Sequence, residues 1–123
     1  RDYARFMAML LHEGELDGVR VMKTQTARTM MSNLMEPGVI ANTSYGASGY
    51  GAGGRSTIVN TPGGEGIGTF GWTGASNTQA WVDRANGAYI VLMTQVRQWY
   101  PNPIYQDFIG SHYSDLAKSA GAG

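Results

Sequence analysis

At 123 residues the chain suits one compact domain, which at this size removes roughly two thirds of its unfolded surface from water. Hydrophobic residues make up 42% and charged residues 15%, and nine basic side chains cancel nine acidic ones, so nothing steers the chain toward nucleic acid or an anionic membrane. Cysteine is absent, which excludes disulfides, thiolate nucleophiles and zinc-thiolate sites while leaving the redox compartment open.

The opening RDYARF lacks an initiator Met and already lies inside a helical pattern, so an upstream portion is expected. Asp2 suits an N-cap, and Tyr3, Phe6, Met7, Leu10 and Leu11 follow at helical spacing up to Gly14, a good terminator. GELDGVRVM reads as a turn and a short extended piece. Thr24 can cap a second helix whose Ala27, Met30, Met31 and Leu34 share a face, stopped before Pro37. From Gly38 the composition turns glycine-rich, with weak alternation over 45–53, short strands over 68–73 and 77–83, and Asn86-Gly87 closing a hairpin into AYIVLMTQ. That last strand is apolar at nearly every position, which implies cover on both faces. Asn102 and Pro103 start a final helix with Ile104, Phe108, His112 and Leu116 on one stripe and Tyr105, Ile109 and Tyr113 beside it.

The expected fold is therefore α+β: a helical pair over residues 1–37, then an antiparallel sheet with a C-terminal helix packed on it over 38–123. No run approaches the roughly 20 apolar residues of a membrane span. His12 and His112 stand far apart without metal-ligand spacing, so no metal and no cofactor is implied. His12-Glu13 reads as a solvated helix end, with catalysis the minority interpretation.

Several motifs fail on context. Gly49, Gly51 and Gly54 match G-x-G-x-x-G, but no helix follows to receive a pyrophosphate; small residues that admit a neighbouring element explain them better. S-x-x-K is missing, because the residues three before Lys23 and Lys118 are Arg20 and Asp115. Gly74-Ala75-Ser76-Asn77-Thr78 ends wrongly for a nucleophile elbow, which makes Ser76 a turn serine by spacing. Tyr100-Pro101-Asn102 spells Y-x-N, yet its proline and the helix start favour a loop and a cap. GTFGWTGASNT remains: Phe70 and Trp72 share one face of a short strand, and Gly68, Gly71 and Gly74 keep the surroundings low, so that a ligand can reach backbone N–H groups able to stabilise an oxyanion. A glycine-rich hairpin bend with a core Trp ranks slightly ahead on spacing alone.

The ordered set DYARFMAMLLHEGELDGVRVM, TARTMM, YGASGYGAG, GTFGWTGASNTQAWVD and AYIVLMTQ, from about Asp2 to Gln95, resembles the C-terminal part of the penicillin-recognising serine hydrolases, nearest the branch of family VIII-type esterases and class C β-lactamase-like proteins. The resemblance implies a β-lactamase/transpeptidase-like fold and acyl transfer to ester or amide substrates through a serine acyl-enzyme. Trp72-Thr73-Gly74 matches the third box, with the Ala75 N–H as one oxyanion donor and Trp72, Thr73, Gly74 and Ser76 as substrate-contacting residues. The family's first two boxes would lie in a missing N-terminal part of the same protein, so the isolated chain should not turn over substrate. By analogy Ala88 to Gln95 would also lack its usual neighbour and expose an apolar edge. The rival from another class is a noncatalytic binding or sensor module that keeps this fold.

Overall fold

The computed structural model describes residues 1–40, 48–97 and 103–121. The Y-x-N tripeptide, the Asn102 cap and residues 45–47 of the weak alternation lie outside the described residues. Helix α1 spans Asp2–Leu11 with Arg1 as its N-cap, so Asp2 is the first helical residue rather than the cap, its carboxylate facing the positive end of the helix dipole. Met7, Met9 and Leu10 are its buried positions. Tyr3 and Phe6, expected in the core stripe, are 49% and 42% exposed, because the first turn of α1 overhangs β5 across a groove instead of packing on it.

Strands β1 (Glu15–Leu16) and β2 (Val19–Arg20) form a hairpin on Asp17-Gly18, both at positive φ, the conformation a two-residue type I′ turn requires. Helix α2 runs Thr24–Met31 from an N-cap at Lys23, so Thr24 is inside the helix and not its cap. It stops well short of Pro37, leaving Leu34 exposed, and a single turn, α3 (Pro37–Ile40), follows. The C-terminal carbonyls of α2, which lack partners within any helix end, are taken up by the sheet: Ala52 N–H donates to Met30 O at 2.8 Å and Ser56 Oγ–H to Met31 O at 2.9 Å.

The sheet is a five-stranded antiparallel meander of β3 (Ser48–Tyr50), β4 (Arg55–Thr57), β5 (Phe70–Thr73), β6 (Gln79–Asp83) and β7 (Ala88–Leu92), in that spatial order. A strand, not a helix, follows Gly54, and a Cβ at Gly51 would strike the Met30 carbonyl oxygen. Gly49 and Gly51 thus serve the close approach of the segment that ends α2, and Gly54 that of Phe70 and Gly71 in β5. One sheet face and the two helices share a core: Met7, Met9 and Leu10 of α1, Ala27 and Met31 of α2, and Phe70, Ala80 and Val82 of β5 and β6. Edge strand β7 has no pairing partner on its outer side among the described residues, and Met93 just beyond it is 65% exposed.

On the opposite face Arg55, Gly71 and Trp81 stand side by side in register. The Arg55 guanidinium lies 4.5 Å from the Trp81 ring centroid, and its Nη2 donates to both carboxylate oxygens of Glu65, at 3.0 and 2.9 Å. Helix α4 (Pro103–Gly121) meets this face through Tyr113, whose hydroxyl donates to Asp83 Oδ2 at 2.8 Å. Among the described residues Tyr113 is its buried position, with Ile109, His112 and Leu116 half-buried around it, whereas Ile104 and Phe108 of the expected stripe are exposed. The helix is rotated relative to that stripe because the Tyr113–Asp83 bond and the apolar residues one turn either side define the contacting side.

Asp83 is 2% exposed and closes the β6–β7 connection. It accepts bonds from Gly66 N–H at 3.0 Å, Asn86 N–H at 3.1 Å, Asn86 Nδ2 at 2.8 Å and the Tyr113 hydroxyl. The connection is a four-residue loop, Arg84 to Gly87, in place of a two-residue Asn86-Gly87 turn. Glu13 is not a solvated helix end: its carboxylate holds Arg28 of α2 at 2.7 Å and Arg84 of this loop at 2.9 Å. The Arg28 guanidinium, helped by Arg84 and only partly opposed by burial, keeps the Glu13 carboxyl below the usual range.

Candidate functional site

Strand β5 carries Trp72-Thr73 into a hairpin to β6 across Gly74 to Thr78. Gly74 N–H donates to Thr78 O at 2.8 Å and Asn77 N–H to Gly74 O at 2.9 Å, with Asn77 at φ 59° and neither Ala75 nor Ser76 at positive φ. This is a three-residue loop: a type I turn with Ala75 and Ser76 central, then a left-handed residue. Asn takes that conformation at less cost than most residues.

The loop is fastened to the segment after β7. Thr94 Oγ–H donates to Ser76 O at 2.6 Å, Val96 N–H to the same oxygen at 3.1 Å, and Asn77 Nδ2 to Val96 O at 2.6 Å. Ser76 is thus a turn residue whose carbonyl is occupied. Ala75 is exposed, and among the described residues its N–H has no intramolecular partner. A donor held in a fixed turn and left unpaired needs no reorganisation before it meets a developing negative charge.

Trp72 is 40% exposed and so is not a core residue; its ring meets Tyr50 edge-on at 5.4 Å between centroids. A pocket of about 290 Å³ opens beside it, walled by Tyr3, Trp72, Thr73, Gly74, Thr78 and Met93 among others. The fold therefore brings Trp72, Thr73 and Gly74 to one cavity, with Ala75 and Ser76 next along the loop. Tyr3, Thr78 and Met93 join them without having been singled out from sequence. The signal for Tyr3 was an aromatic residue in the first turn of an amphipathic helix, too common a feature to mark a site. A larger groove of about 800 Å³ lies between the Asn60–Ile67 loop and α4, away from these residues. Among the described residues no group of three or more His, Asp or Glu side chains could hold a metal, and no helix is long and apolar enough to cross a membrane.

No protein-family model matches the chain. Two Mycobacterium tuberculosis proteins, Protein Rv1367c and Uncharacterized protein MT1414, are each 33% identical to it over 102 residues, covering 75% of the chain. The chain spans about a quarter of the length of these relatives, 25%. Among solved structures, a mutant of simvastatin synthase from Aspergillus terreus superposes with a TM-score of 0.77 over 94% of this chain and 33% of its own, at 18% identity. A Bacteroides dorei protein whose β-lactamase name is provisional gives 0.55 over 89% of this chain and 38% of its own, also at 18% identity. At that identity the likeness is one of fold. The chain is an α+β unit of β-lactamase-like fold, corresponding to about a third of such a molecule.

Proposed function

We propose that this chain supplies the third-box wall of a serine acyl-transfer site, in which an upstream Ser, activated by Lys and Tyr, attacks an ester or amide carbonyl, the alcohol or amine departs with a proton, and water then releases the acyl group as the acid. Attack moves the carbonyl electrons onto oxygen, and the Ala75 N–H is one donor for that oxyanion, the nucleophile's own N–H being the other. The observation that carries this reading is the Ala75 amide, exposed and unpaired among the described residues, on a tied-down hairpin that follows Trp72-Thr73-Gly74. Thr73 offers a hydroxyl to the substrate. Trp72 offers a ring and no charge where a Lys of this box would meet a carboxylate, which favours uncharged acyl substrates. The β-lactamase-like fold and the pocket beside Trp72 support the assignment. In the longer protein, changing the Ser of its S-x-x-K to Ala should abolish p-nitrophenyl ester hydrolysis. Full retained activity would end the proposal, and a parent without that Ser would leave a binding module on the same fold.

A further inference from the structure

The cavity at the Trp72 box does not end there. A narrower one of about 110 Å³ lies between the first turn of α1 and β5, walled by Tyr3, Phe6, Met7, Met30, Phe70 and Trp72, and it shares Tyr3, Trp72 and Ala80 with the first. No charged side chain lines either cavity among the described residues. An ion entering the inner slot would lose its water and find no partner. A polypeptide segment would bring backbone donors and acceptors that a wall of rings and thioethers cannot satisfy. The occupant that suits such a wall is an alkyl or aryl chain.

We propose that this slot receives the apolar acyl chain of an uncharged ester whose carbonyl sits at the hairpin, with Tyr3 and Trp72 as the residues that set its length. The proposal rests on the acyl-transfer reading of the Trp72 hairpin. It also accounts for two aromatic residues of α1 that face away from the core, Tyr3 and Phe6, whose rings stand 5.9 Å apart at the slot's mouth.

The test uses ligands that no turnover consumes: the linear amides acetamide, butanamide, hexanamide and octanamide, titrated into the chain with its methionine methyl groups labelled with carbon-13. Met7 and Met30 line the slot and Met93 the outer pocket, while Met9, Met22, Met31 and Met35 line neither, so the seven methionines form a built-in control. The expected result is movement of the Met7 and Met30 signals, with affinity rising about fourfold per methylene until the slot is full. Tyr3→Ala and Trp72→Ala, both at exposed positions, should each weaken hexanamide binding about tenfold. Movement confined to the four control methionines, or affinity indifferent to chain length, would overturn the proposal. Binding with that length dependence but no ester turnover in the longer protein would retain the slot and remove the hydrolase reading; turnover without shifts at Met7 and Met30 would do the reverse.

Discussion

Replacing Asp83 by Asn should destabilise the fold by about 2 to 4 kcal/mol at neutral pH and by less at pH 2. Asp83 Oδ2 accepts three donors, Gly66 N–H, Asn86 Nδ2 and the Tyr113 hydroxyl, and Oδ1 accepts Asn86 N–H. An Asn oxygen placed at the Oδ2 position keeps the first three as neutral bonds, but its NH₂ then faces Asn86 N–H, donor against donor. The loss is one charge-assisted bond, about 1.5 to 3 kcal/mol, plus the weakening of the other three, offset in part by the easier burial of a neutral group. For a domain of this length that is a fall of roughly 8 to 16 °C in Tm. The pH dependence follows from the carboxyl group itself. Burial alone would raise its pKa; the bonds from the Asn86 side chain, Gly66, Tyr113 and the Asn86 backbone outweigh burial and leave it lowered. A carboxylate with a lowered folded pKa contributes stability that is fully present above its unfolded value, about 3.9, and is lost as pH falls through the folded value. Thermal melts followed by circular dichroism at fixed protein concentration should therefore show the gap between parent and variant closing below about pH 4. A gap of equal size at pH 7 and pH 2, or no gap at pH 7, would refute the reasoning.

Three further outcomes follow from the same structure. Gly71→Ala should cost about 1 to 3 kcal/mol or more, read from denaturant midpoints, because the new methyl would collide with the Ala80 carbonyl and with Trp81, whose ring Arg55 covers. In the longer protein, Trp72→Lys should shift relative rates from short esters toward carboxylate-bearing β-lactams; unchanged relative rates would remove the argument from charge. With β7 unpaired on its outer side among the described residues, the isolated chain should self-associate in sedimentation velocity, and a monomer that melts cooperatively would contradict this.

The elements most legible in the sequence are those whose pattern is local. The helical spacing from Asp2 to Leu11, the glycine-flanked strand ending at Thr73 and the apolar run from Ala88 each depend on the residues within them, and each forms close to where the pattern puts it. What is not legible depends on how elements meet. The α4 stripe through Ile104 and Phe108 is real as a pattern, but the side that touches the sheet is chosen by a bond from Tyr113 to a residue 30 positions earlier. Likewise nothing near Glu13 in the sequence points to Arg84, 71 positions away. At the candidate site the hairpin carrying Trp72 to Ser76 is readable from its glycines and its Asn, whereas the slot exists only because the first turn of α1 overhangs β5, a tertiary fact without a local signature.

One N–H group, that of Ala75, carries the proposed chemistry, and the turn around it allows that group to be deleted cleanly. Ala75 occupies the first central position of a type I turn, where proline is well tolerated, so Ala75→Pro removes the donor while keeping the loop. In the longer protein the predicted result is a fall in kcat for a short p-nitrophenyl ester of roughly a hundred- to a thousandfold, with Tm little changed and Ala75→Gly close to the parent. An Ala75→Pro protein that folds and turns over the ester at the parental rate would contradict the account.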